Sequence, residues 1–172
     1  MRLNQSKKAL WAAVIVILIL LLAAAVFGGR SMSKRSRTVG KDIAFADIME
    51  FYFTRAASTY PPDYQRYHFS VTDGTYLFYH ETREGNAFPL TEQHITLSGT
   101  VELTAAQWDA FLAFLNGGSV SKRSESAAGG SSGPSLYLYW VGDRGTYQMF
   151  SFPSRDAAAA FESFCEALRD EQ

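Results

Sequence analysis

The stretch YHFSVTDGTYLFYH, residues 67–80, decides how the chain folds. Two runs rich in aromatic and β-branched residues flank Asp73-Gly74, a pair that tolerates the positive φ of a type I′ turn. A two-residue turn sets the register without ambiguity. Thr72 stands opposite Thr75, Val71 opposite Tyr76, Phe69 opposite Phe78 and Tyr67 opposite His80. Cross-strand partners share a face. One face therefore reads Tyr67, Phe69, Val71, Tyr76, Phe78 and His80, and the other His68, Ser70, Thr72, Thr75, Leu77 and Tyr79. The first is apolar enough to be a core face.

Working outward, Met49 to Thr54 alternates and is aromatic, which reads as a strand. Residues 56–64 (AASTYPPDY) read as a loop, because Pro61-Pro62 disfavours both helix and central strand. Ile95, Leu97, Val101 and Leu103 alternate with polar residues, predicting a half-buried strand with Gly99 as a bulge. Thr104-Ala105-Ala106-Gln107 fits a capping box, with Leu103 and Trp108 at the staple positions. Trp108, Phe111, Leu112 and Leu115 then form one helical stripe, and Gly117 is placed to end it. Residues 117–134, with five Gly and six Ser, read as a flexible loop. Leu136–Val141 and Thr146–Phe152 read as strands. After Pro153, Ser154 caps a last helix with the stripe Phe161, Phe164, Cys165 and Leu168. The order β-β-β-β-α-β-β-α predicts an α+β domain, a mainly antiparallel sheet covered on one face by two amphipathic helices.

Ahead of this domain the composition changes. All 19 residues from Ala9 to Phe27 are apolar. As a helix they would span about 28 Å, close to the hydrocarbon thickness of a bilayer. Trp11 stands near one end, where an indole favours the headgroup boundary. The sequence thus divides into a basic tail (1–8), a transmembrane helix (9–29), a basic Gly/Ser stem (30–41) and a soluble domain (42–172). Ala23-Ala24-Ala25 also offers a signal-peptidase site, but the apolar run continues through Phe27, which favours an uncleaved anchor. Basic residues flank both ends, so charge alone does not orient the helix. The short N-terminal tail resembles a signal-anchor and places the soluble domain outside the cytoplasm.

The overall net charge of −1 hides a split. Residues 1–41 carry eight basic residues and no acid; the rest carry eight basic and 17 acidic residues, a net of −9. Such a domain repels a phosphate backbone, so nucleic acid is excluded as a partner. Arg30, Lys34, Arg35 and Arg37 are placed to contact anionic lipid, or simply to form a solvated linker.

For chemistry the sequence offers little. His68, His80 and His94 show no metal-ligand spacing, and His80-Glu81 does not continue as a zinc motif. No nucleotide loop or nucleophile elbow occurs, and no cofactor is called for. Glu81, Glu84 and Glu92 flank one loop, and paired carboxylates are what glycoside hydrolysis requires. Cys165 lies on an apolar helix stripe, where a thiol is inert packing. Tyr137, Tyr139 and Tyr79 are candidate binding residues on outward strand faces, and Tyr60 and Tyr64 frame the stiff YPPDY loop as a second candidate surface.

The run EFYFTRAASTYPPDYQRYHFSVTDGTYLFYHETREG (50–85), with LYLYWVGDRGTYQMFSF (136–152), resembles bacterial proteins that carry an N-terminal membrane anchor and have no assigned activity. The resemblance covers most of residues 45–165. It implies a domain outside the cytoplasmic membrane and carries over no catalytic residue. The expectation is a membrane-tethered, non-catalytic binding module facing the envelope, with an envelope protein or glycan as partner. The alternatives are an envelope glycan hydrolase using Glu81 or Glu84, and a structural subunit of a membrane complex.

Overall fold

The computed structural model describes residues 36–122, 134–143 and 148–171. The tail, the apolar segment at 9–29 and the start of the stem lie outside these residues, as does most of the 117–134 loop. Among the described residues no helix is long and apolar enough to cross a membrane.

The described chain forms one eight-stranded sheet and two helices. The strands are β1 (Arg37–Thr38), β2 (Ile48–Ala57), β3 (Asp63–Thr72), β4 (Thr75–Arg83), β5 (Ile95–Glu102), β6 (Ser119–Ser121), β7 (Ser135–Trp140) and β8 (Gln148–Ser151). Helix α1 (Ala105–Leu115) follows β5, and α2 (Arg155–Asp170) follows β8. Across the sheet the order is β1-β6-β8-β7-β2-β3-β4-β5, and neighbouring strands pair antiparallel throughout. The domain is thus an α+β unit with an antiparallel sheet and two helices.

The β3–β4 hairpin has the register expected from its turn, from Thr72 opposite Thr75 to Tyr67 opposite His80. Asp73 and Gly74 both take positive φ, at 50° and 80°. The register continues sideways. Leu138, Phe51, Phe69, Phe78 and Val101 stand abreast on β7, β2, β3, β4 and β5. The first four of these are fully buried. Both helices pack on this face: Phe69 stacks on Phe111 of α1 at 4.0 Å and 3°, and Phe51 meets Phe161 of α2 edge-on at 5.4 Å.

The caps hold the helices where the stripes need them. Thr104 Oγ1 accepts from the Gln107 amide (3.2 Å), and Gln107 Oε1 accepts from the Thr104 amide (2.9 Å), closing the box expected before α1. Trp108, Phe111, Leu112 and Leu115 are all buried. Ser154 Oγ accepts from the Ala157 amide at the start of α2 (3.0 Å), and Phe161, Cys165 and Leu168 are buried below it. Gly117 takes φ 75° just past α1.

Four local features differ from the expectation. Gly99 is no bulge: it pairs in register with His80, and the irregularity of the β4–β5 ladder falls between Thr82 and Arg83. The loop expected at 56–64 is shorter, because β2 runs to Ala57 and β3 begins at Asp63. Only the segment around Pro61-Pro62 turns. Residues 37–38, expected to be stem, pair with β6, and Val39 and Ile43 behind them are buried in the core. Ser119–Ser121, expected to be loop, pairs with β8 at all three positions, and its one apolar residue, Val120, is buried. These strands are two and three residues long, too short for periodicity to reveal.

Phe69→Ala removes the ring shared by the sheet and both helices and is expected to cost about 3–5 kcal/mol. Thr104→Ala, which removes only the cap, is expected to cost about 1 kcal/mol. Denaturant unfolding followed by tryptophan fluorescence distinguishes the two.

Candidate functional site

Opposite the helices, a second lateral row runs one residue out of phase with the core row. Met149, Tyr137, Tyr52, His68, Tyr79 and Thr100 stand abreast on β8, β7, β2, β3, β4 and β5. Among the described residues no helix lies on this face. Tyr139 belongs to a neighbouring row with Glu50, Ser70 and Leu77, and Arg66 and Glu81 to the row on the other side. Tyr79, Tyr137 and Tyr139, singled out from the sequence, thus share one face.

The middle of the row is tied together. Tyr52 and His68 stack with centroids 4.0 Å apart and planes 7° from parallel. Neighbouring strands are about 4.8 Å apart, so these rings stand upright and use faces on one another. Glu50 Oε2 accepts from Tyr52 Oη (2.9 Å) and from His68 Nε2 (3.0 Å). Burial lowers the His68 pKa, while its hydrogen bond to Glu50 opposes the shift. The face therefore presents ring edges and amphipathic tyrosines rather than flat ring faces.

Toward one end the face is closed by the loop between β4 and β5. Glu81, only 3% exposed, accepts from Tyr79 Oη (2.6 Å) and forms an ion pair with Arg83. Arg83 also donates to the Leu90 carbonyl (3.0 Å) and lies over the Tyr64 ring, 4.2 Å from its centroid. Burial alone would raise the Glu81 carboxyl, but the hydrogen bonds from Tyr79 and Arg83 and the Arg83 charge outweigh it and hold it low. Burial, with Glu81 beside it, pushes the Tyr79 phenol up to about 12. A general acid in glycoside hydrolysis needs a raised carboxyl; Glu81 has the opposite, and Glu84 is exposed on the loop.

Tyr60 and Tyr64, grouped in one loop by the sequence, are separated by the structure. Tyr60 is 90% exposed, whereas Tyr64 lies in β3 with its ring buried under Arg83. The extension of β3 back to Asp63 is what moves Tyr64 out of the loop. Glu50, Tyr52 and the ring stack of His68 went unnoticed in the sequence. Their signal is the β2–β3 register, which the long connection through Pro61-Pro62 does not specify as a two-residue turn would. His80 is buried on the core face and His68 half-buried on the other, as the hairpin register requires. Among the described residues no cluster of His, Cys, Asp or Glu is placed to hold a metal ion. Cys165 is buried, and burial raises its thiol well above the usual range.

Because the folded Glu81 value lies below the unfolded value of about 4.3, its contribution to stability is present above that pH. It is lost as pH falls through the folded value. Glu81→Gln is therefore expected to flatten the acid limb of the stability–pH curve. Arg83→Met leaves Glu81 buried without its ion-pair partner, held only by the Tyr79 hydroxyl, costing about 3 kcal/mol near neutrality. That deficit shrinks as acid protonates the carboxyl. Denaturant midpoints measured between pH 3 and 7 test both.

Compared with protein-family models, with curated proteins and with solved structures, the chain matches none significantly.

Proposed function

We propose that this chain is a membrane-tethered, non-catalytic binding module. Its recognition surface is the sheet face opposite the helices, presented on the outer side of the cell membrane to an envelope protein or glycan. The observation that carries the reading is that Tyr79, Tyr137 and Tyr139 converge on one face, beside the Tyr52–His68–Glu50 cluster. Tyrosine supplies large, rigid contact area with a polar tip, at little cost in side-chain entropy.

Two further points support it. The low-lying, ion-paired Glu81 suits a fixed structural carboxylate more than an acid catalyst. The apolar run Ala9–Phe27 has the length and purity of a membrane anchor, and the stem behind it is basic. The tether confines the module to two dimensions, which raises its effective concentration toward partners at the same surface.

Photo-crosslinking from three positions tests the surface. With a photoreactive residue in place of Tyr79 or Tyr139, the full chain in its native membrane is expected to give discrete adducts. The same residue at Ser163, exposed on α2, is expected to give none. Adducts from Ser163 alone would move recognition to the helix side and refute this assignment. Protease treatment of intact cells carrying a tag at each end tests the location. Loss of the C-terminal tag alone is expected.

A further inference from the structure

Among the described residues β7 and β8 pair through Tyr137 with Met149 and Leu138 with Gln148. Yet β7 extends back to Ser135 and β8 on to Ser151, so Leu136 and Phe150 would be the next partners. They do not pair. At these positions β7 is held by β2, through Phe53 and Thr54, and β8 by β6, through Val120 and Ser119. The sheet is thus continuous on either side of a local split. A cavity of about 500 Å³ occupies the split, within the size range of small-molecule sites.

Its lining has two chemistries. Leu136, Met149, Phe150 and Phe152 supply an apolar wall, while Ser154 and Arg155 bring in the first turn of α2. Ser154 Oγ already satisfies the Ala157 amide. The amides of the first turn before it have no acceptor within the helix. Arg155 is exposed, and no carboxylate among the described residues lies within ion-pair distance of it. Asp156 follows on the helix but does not line the cavity.

We propose that the split between β7 and β8 binds a single-chain amphiphile with an anionic headgroup, its acyl chain against Leu136, Met149, Phe150 and Phe152 and its head at Arg155. Charge complementarity selects the headgroup. The apolar wall selects the chain, because methylenes buried there are removed from water. The site borders the surface proposed above for partner recognition, sharing Tyr137, Met149 and Ser135 with that face, but does not depend on that reading.

Three photoreactive probes test it on the full chain in membranes: a diazirine fatty acid, a diazirine lysophosphatidylglycerol and an uncharged diazirine fatty alcohol, with adducts mapped by peptide mass spectrometry. Adducts are expected on peptides spanning 134–140 and 148–158. Arg155→Gln is expected to lower labelling there about tenfold, the loss of one charge-assisted hydrogen bond. The uncharged diazirine alcohol should label wild type and variant alike. Leu136→Trp, which fills the split, should remove labelling by all three. Preference for the fatty acid identifies a free carboxylate ligand, and preference for the lysolipid a membrane phospholipid; either supports the site. Labelling confined to residues 9–27, or labelling at the split unchanged by Arg155→Gln, overturns it.

Discussion

The structure depends on one packing constraint. Leu138, Phe51, Phe69 and Phe78 must lie abreast on four neighbouring strands, so that Phe69 can stack on Phe111 and Phe51 can meet Phe161. Strand side chains alternate with a period of two, so this row also dictates what stands on the other face. A one-residue slip of β3 against its neighbours would send Phe69 into solvent and His68 into the core. Each aromatic contact in the seam contributes only modestly beyond its buried area, but all of them fail together under such a slip. Register is therefore the quantity the core enforces most strictly.

The opposite row follows from the same constraint. Once Phe51, Phe69 and Phe78 are inside, Tyr137, Tyr52, His68 and Tyr79 must be outside, side by side. The outer face is not a plain solvent surface. Glu50 gathers Tyr52 and His68, and Glu81 gathers Tyr79 and Arg83. These ties hold Tyr52, His68 and Tyr79 in fixed orientations on that face. The same rigidity makes Glu81 a poor proton donor. One carboxylate can serve a fixed network or titrate near neutrality, and here the guanidinium and phenol beside it favour the former.

The elements with strong local signals were legible in the sequence. The Asp73-Gly74 turn specified the hairpin to the residue, because a two-residue turn leaves one register. The capping box at Thr104 and the stripe from Trp108 to Leu115 specified α1 and its buried face. The outward placement of Tyr79 was readable from the hairpin alone. What escaped the sequence rests on contacts distant in the chain. The two- and three-residue strands at Arg37 and Ser119 exist because they pair with each other and with β8, not because of their own propensities. The extension of β3 to Asp63, which buries Tyr64, depends on Arg83 and the loop carrying Leu90. The Tyr52–His68 stack required the β2–β3 register, and the cavity required the failure of β7 and β8 to pair along their full length. Local sequence patterns carry none of these.

We propose that the outer sheet face is a recognition surface occupied at the membrane. Two near-isosteric substitutions test it most directly: Ser70→Cys on that face and Ser163→Cys on the solvent side of α2, in the full chain with its native, buried Cys165. Labelling rates with a membrane-impermeant maleimide are compared in intact cells and in the purified protein. This reading predicts that both positions label in the purified chain, exposed position 163 faster than half-buried position 70, and that ratio is the baseline. In intact cells it predicts rapid labelling of position 163 and marked protection of position 70 beyond that baseline. The same ratio in cells, or no labelling of either until the cells are lysed, would contradict it.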